Sequence, residues 1–296
     1  MVRPPLQKPA LCLHVGYGKT GSTAIQSWLL SQRNELKAAG VAYPVFENSL
    51  GDSGNGSLLM EALAHSTGEP WWLEEMKPGF QAMLFSREQF ARELSQPGWF
   101  EQLVVCAKRW GFGSIKILLF IRDPRDHCYS LWAQKVKRAG ERRSLAQFAA
   151  DYDAISMVTS FVQNAFGFGF DIRVLDYGRC RTSLILSFNR WLSYAIYGVN
   201  DYPFDLGLKM SSEVFVNVTP SRSQLRLQRH LHGIWPGGKA PIPPRLIAKI
   251  LMWPSFDQRY LNFEIIEKWK LQVAAFNQVC GQRFKFFDNM PFESEN

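Results

Sequence analysis

Lys19 stands in the segment Gly16-Tyr17-Gly18-Lys19-Thr20-Gly21-Ser22-Thr23, where glycines surround one positive charge and three aliphatic hydroxyl groups. Glycine lets the backbone come close to a ligand. Thr20, Ser22 and Thr23 carry hydroxyl donors, and Lys19 supplies a full charge. Phosphate or sulfate suits such a set, because backbone N–H groups and a helix N-terminus add positive partial charge to the same concavity. About a hundred residues later comes Arg122, with Ser130 eight positions beyond it. A guanidinium meets a phosphate as a planar fork, and a serine hydroxyl completes the cage.

The elements that must carry these residues follow from hydrophobic patterning. Leu11 to Val15 is a short apolar run and reads as a strand. Behind the glycine-rich turn, Ile25, Trp28, Leu29 and Leu36 recur at helical spacing, and Gly40 is a natural stop. Ile117 to Ile121 is continuously apolar, as in the centre of a parallel sheet. Asp123 then falls at a helix N-cap and Pro124 at the first helical position, so Arg122 ends the strand and Ser130 lies two turns into the helix. Ala82 to Phe85 is a further strand, and Ser86-Arg87-Glu88-Gln89-Phe90 is expected to open a helix. Trp99, Phe100, Leu103, Val104 and Trp110 form a helical stripe that stops at Gly111. Ser144 to Gln147 is a capping box, residues 156–166 are helical, Ile172 to Tyr177 is a strand, and Leu184 to Leu192 is a helix.

The alternation predicts an α/β fold, a three-layer sandwich with a central, mainly parallel sheet flanked by helices, in one domain over 1–296 whose part from about 180 is mainly helical. Ligands of open α/β sheets gather at the carboxyl ends of strands, where Lys19, Glu88 and Arg122 would all lie. Elsewhere, Gly51 to Ser57 reads as a loop, Leu58 to His65 as a helix, Ser221 to Gln224 as a second capping box, Pro236 to Pro244 as a rigid loop, and Tyr260 to Val279 as a closing helix. Pro70-Trp71-Trp72-Leu73 is either a hydrophobic plug or a stacking surface for an acceptor such as a sugar ring.

Counting decides what kind of anion loop this is. A Walker A loop needs a glycine five positions before Gly18, and Leu13 stands there, inside the strand. The segment instead resembles the 5′-phosphosulfate loop of the sulfotransferases, and Arg122 with Ser130 resembles the pair with which that family holds a 3′-phosphate. The resemblance is specific in these two motifs and extends weakly to about residue 195, where Asp176-Tyr177 follows a strand.

It implies 3′-phosphoadenosine 5′-phosphosulfate (PAPS) as donor, adenosine 3′,5′-bisphosphate (PAP) as product, no metal, and an acceptor hydroxyl. Gly18, Lys19, Thr20, Gly21, Ser22 and Thr23 would hold the phosphosulfate, with Arg122 and Ser130 at the 3′-phosphate and Lys19 also catalytic. The loop looks more like those of bacterial and glycan-type enzymes than the Tyr-Pro-Lys loop of the aryl type, which favours a carbohydrate acceptor over a small molecule or lipid. Bacterial relatives often carry Ser-x-Glu after this strand, which makes Glu88 the leading general base, with His65 and His127 behind it. His14 is expected to be a hydrogen-bonded core histidine, and His230 with His232 is a poor metal pair, since residues two apart on a helix face apart. The competing classes are a nucleotide kinase or triphosphatase, which the Leu13 mismatch opposes, and a non-catalytic anion-binding module.

Apart from Lys135-Val136-Lys137-Arg138 and Arg142-Arg143, the basic residues behind the formal charge of +8 are scattered, unlike the concentrated patches of nucleic-acid binders, and would steer anionic ligands inward. Five cysteines without any Cys-x-x-Cys speak against a disulfide framework or a zinc site, and Cys12 and Cys128 read as small buried fillers. The first residues lack the apolar core of a signal peptide, and no apolar run reaches membrane-spanning length, so a cytoplasmic setting is expected.

Overall fold

A computed structural model describes residues 8–45, 54–65, 68–76, 79–198, 225, 229, 261, 263–281, 284 and 286. The chain divides into two compact units, one from residues 1–122 and 157–215, the other from 123–156 and 216–296.

The first unit is built on a five-stranded, wholly parallel sheet in the order β2-β3-β1-β4-β5. Its strands are β1 (Ala10–Val15), β2 (Val41–Ala42), β3 (Ala82–Arg87), β4 (Ser114–Ile121) and β5 (Asp171–Asp176). β1 is buried along its whole length, which is why it reads as an apolar run interrupted only by His14 rather than an alternating one. Strand alternation sends Ala10, Cys12, Leu84, Leu118 and Phe120 to one face. There they pack with Ile25, Trp28 and Leu29 of α1 (Ser22–Ser31) and with Phe188, Trp191 and Leu192 of α10 (Leu184–Tyr197). On the other face Phe85 meets the Trp72 ring at 5.0 Å, and Trp72 meets Trp110 at 5.1 Å, beside α3 (Gly56–Ala64) and α5 (Trp99–Arg109). This is the layered α/β arrangement expected from the sequence.

Two local expectations change. The first helix does not run unbroken to Gly40: it breaks at Gln32, and α2 (Arg33–Ala38) continues separately. The segment Ser86-Arg87 extends β3 instead of opening a helix, because Ser86 is buried and paired in the sheet, so α4 begins only at Phe90 and runs to Leu94. Glu88 thus sits in a turn, outside any helix. Trp71–Glu75 forms a 3-10 helix in which Trp72 is the buried plug while Trp71 is 44% exposed.

The second unit carries α6 (Pro124–Ala139), capped as expected by the Asp123 carboxylate on the Arg125 N–H with Pro124 in the first turn. α7 (Leu145–Ala150) opens on the Ser144–Gln147 capping box. α8 (Ala154–Gly167) spans the division between the units, and α9 (Tyr177–Cys180) follows β5 in the first. The last described helix, α11 (Phe263–Cys280), buries Trp269 against Tyr152 at 5.1 Å. The predicted capping box at Ser221, the loop from Pro236, and His230 and His232 lie outside the described residues. Cys12 and Cys128 are buried, and burial pushes both thiols up to about 12, as befits inert fillers.

Candidate active site

β1 lies at the centre of the sheet, between β3 and β4, and its carboxyl end opens directly into the glycine-rich loop. Gly16 donates its N–H to the Arg87 carbonyl at 2.9 Å, so the loop leaves the sheet still bonded to β3. Gly18, Lys19 and Gly21 then take φ values of 74°, 54° and 80°, and Lys19 is the one non-glycine residue with positive φ among those described. That conformation costs an L-residue on the order of 1–2 kcal/mol. Strain of this kind persists where the surroundings fix the backbone for a task.

The turn delivers the chain into α1 with Gly21, which has no side chain to cap the helix, at the N-cap and no acidic residue in the first turn. Its leading N–H groups and the positive end of its dipole therefore remain for an anion. Thr20 and Ser22 are buried, and neither Thr20 Oγ1 nor Ser22 Oγ has a hydrogen-bond partner among the described residues. A buried hydroxyl left unpaired costs about 1–3 kcal/mol, and the oxygens of a phosphate or phosphosulfate would satisfy both. Thr23, by contrast, is exposed. These residues fit the donor that the sequence suggested.

Arg122, at the end of β4, reaches the same loop. Its Nη1 donates to the Lys19 carbonyl at 3.2 Å, and the guanidinium lies 5.7 Å from the centre of the Tyr177 ring. Tyr177 and Leu184 close over Gly21, where an added Cβ would meet Leu184 Cδ2 at 2.5 Å and Tyr177 Cε2 at 3.1 Å. The ends of β1, β4 and β5 thus meet around one loop.

Glu88 belongs there too. A Cβ built on Gly16 would meet Glu88 Cα at 2.5 Å and Ser22 Oγ at 2.8 Å, so the Glu88 backbone lies against the loop while its side chain is exposed. Beneath it, Ser86 Oγ bonds His14 Nδ1 at 2.8 Å and accepts from Gln26 Nε2 at 3.2 Å. His14 is fully buried between the Phe120 and Phe188 rings, and burial lowers its pKa to about 3, which keeps it neutral.

Ser130 is buried on α6, in the second unit. His127, also in that unit, is buried with Nδ1 bonded to the Tyr152 hydroxyl at 2.7 Å, the setting of a core histidine. His65 is exposed and lines a cavity of about 330 Å³ with Glu61, Glu69, Trp71 and Trp72. Among the described residues no group of three or more His, Cys, Asp or Glu is arranged to hold a metal ion, and no helix is long and apolar enough to cross a membrane.

Local sequence places Tyr177 after a strand and Ser86 beside Glu88, but it marks neither Tyr177 at the loop nor the bonds that join Ser86 to Gln26 and Asn55. Their contacts cross 60 residues between Gln26 and Ser86 and 31 between Asn55 and Ser86, and no local pattern marks such pairs.

No family model and no curated relative matches this chain. Solved structures do. A sulfotransferase from Alicyclobacillus acidocaldarius aligns with a TM-score of 0.47 at 13% identity, over 94% of this chain and 98% of the other. The sulfotransferase domain of a Synechococcus olefin synthase gives 0.38 at 10%, over 95% and 98%. Retinol dehydratase, solved with androsterone and the inactive cofactor PAP, gives 0.39 at 13%, over 95% and 84%. At such identities and scores these likenesses carry no weight on function, which rests on the residues of this chain.

Proposed function

We propose that this protein is a sulfotransferase that moves the sulfuryl group of PAPS to an acceptor hydroxyl. The observation that carries the proposal is the Arg122 guanidinium bonded to the backbone of Lys19, 103 residues earlier in the chain. A residue from each of the two anion-binding motifs, Lys19 of the first and Arg122 of the second, is thereby held at one loop.

PAPS, when bound, supplies a sulfuryl group activated by its link to a phosphate. Gly18, Thr20, Gly21, Ser22 and Thr23 hold that phosphosulfate with backbone N–H groups and hydroxyls, Thr20 and Ser22 by the buried oxygens described above. Lys19 neutralises the charge that grows on the departing phosphate oxygen, and Arg122 takes the 3′-phosphate, which separates this donor from ATP. Glu88 accepts the proton of the attacking hydroxyl. Transfer of this kind depends mainly on placement and electrostatics.

A carbohydrate hydroxyl is the acceptor we favour. Its supports are the Gly-Tyr-Gly-Lys form of the loop and the half-exposed Trp71 ring on the cavity beside His65, a surface on which a sugar ring can stack.

The test is incubation of the protein with sulfur-labelled PAPS and a panel of glycans, phenols and lipids, read by mass spectrometry. Wild type should sulfate one class, and Lys19→Ala should lose at least a hundredfold in turnover while keeping its circular dichroism spectrum. Normal turnover by Lys19→Ala would refute the assignment.

A further inference from the structure

Strand β2 is only two residues long and pairs with Ala82 and Met83, the first two residues of β3. Beyond them the outer edge of β3 meets no strand among the described residues, yet this is the half of the strand that leads to Glu88. The side chain of Asn55 takes the missing partner's place. Asn55 Nδ2 donates to the Leu84 carbonyl at 2.9 Å, and Asn55 Oδ1 accepts the Ser86 N–H at 2.8 Å. A carboxamide has the donor and acceptor of a peptide group, so one side chain completes the ladder for one step.

Its neighbours are fitted to that purpose. Gly54 has φ +79°, and a Cβ there would lie 2.2 Å from the Ser86 carbonyl oxygen and 2.6 Å from Gln26 Nε2. A Cβ on Gly56 would lie 2.4 Å from Arg87 Cβ and 2.6 Å from Phe90 Cζ. Only a Gly-Asn-Gly backbone can lie this flat on the strand end. On the inner side β1 holds the same residues through its ladder and through the Gly16 N–H on the Arg87 carbonyl, and the Arg87 guanidinium is fixed by Glu93 at 2.6 and 2.7 Å. Asn55 is buried, so its two bonds are made away from water and their loss leaves Leu84 O and Ser86 N–H unpaired.

We infer that Asn55 is a positioning residue for transfer: its amide clamps the end of β3 and thereby fixes the Glu88 carboxylate relative to the anion loop. The inference rests on the role given to Glu88 above. It makes Asn55 act on the chemical step and leaves the donor's phosphates, held by the loop and Arg122, unaffected.

The experiment compares wild type, Asn55→Ala, Asn55→Asp, Glu88→Gln and the Asn55→Ala/Glu88→Gln double variant. Asn55→Asp keeps the acceptor for the Ser86 N–H and loses the donor to Leu84 O. Three quantities are read: kcat with PAPS, PAP affinity by calorimetry, and hydrogen exchange of the Ser86 and Arg87 amides. Both Asn55 variants should lower kcat at least tenfold with PAP affinity within twofold of wild type, and the Ser86 amide should exchange faster in Asn55→Ala, which removes its acceptor, than in Asn55→Asp, which keeps it. In the double variant the Asn55 change should add less than threefold to the loss caused by Glu88→Gln, since both act through one carboxylate.

The inference is overturned if kcat of Asn55→Ala stays within twofold of wild type, if PAP affinity falls in step with kcat, or if the two losses multiply. A wild type that transfers no sulfate would refute the proposed function instead. Amide exchange then still decides whether Asn55 holds the strand end, and unchanged exchange overturns the clamp by itself.

Discussion

His14 shows how far a residue beside an active loop can be from taking part in it. It precedes Gly16 by two positions, yet it is fully buried, bonded to Ser86 and flanked by two aromatic rings. Its pKa falls from the ordinary 6.5 to about 3 because charging it there would forfeit hydration. The unfolded chain takes up this proton near 6.5 and the folded chain only near 3, so between those values the unfolded state binds more protons. The contribution of His14 is therefore complete above pH 6.5 and is lost steadily as pH falls toward 3. Melting temperatures at pH 7.5 and pH 5 should differ more for wild type than for His14→Gln, in which nothing titrates at that site. Equal differences would show that His14 is charged in the fold. Such a residue was legible in the sequence as an apolar-strand histidine, but its partner Ser86, 72 positions away, was not.

Elements were easiest to read where burial dictates one pattern. β1 and the Ile117–Ile121 part of β4 are buried on both sides and read as apolar runs, broken in β1 only by His14, and Asp123-Pro124 marks the start of α6 because capping chemistry is local. Ser86-Arg87 was misassigned for the opposite reason: two polar residues after an apolar run look like a helix start, while the pairing that keeps them in β3 comes from β1 and from Asn55. Asn55 itself looked like part of a turn, since Gly-Asn-Gly has turn composition and the groups it bonds are distant in sequence. The α1 entry can be tested as an element. Gly21→Ala forces an L-residue to φ +80° and brings a Cβ within 2.5 Å of Leu184 Cδ2, whereas Gly169→Ala meets the same backbone problem at φ +72° with open space around it. Backbone strain alone costs about 1–2 kcal/mol, and overpacking adds about 1–3 kcal/mol. Urea unfolding should thus show Gly21→Ala to be the less stable by at least about 1 kcal/mol, and equal midpoints would mean that Leu184 simply yields.

At the scale of the molecule, a formal charge of +8 suits a protein that draws in small anions. Binding to the folded state alone stabilises it by mass action, about 2.7 kcal/mol at a hundred times Kd. PAP should therefore raise the melting temperature by several degrees, with a smaller rise in Arg122→Ala, whose remaining loop still holds the 5′-phosphate. A rise with magnesium and ATP but none with PAP would count against the proposed function and favour the kinase alternative.

The unpartnered hydroxyls of Thr20 and Ser22, the uncapped start of α1 and the left-handed Lys19 all weaken the same eight residues. A chain selected for rigidity alone would replace them, and doing so would strengthen it. Stabilising substitutions found by blind screening should therefore avoid this loop if activity is also demanded and collect in it if activity is ignored. The two outcomes of such a screen would draw the outline of the binding site without any ligand in the tube.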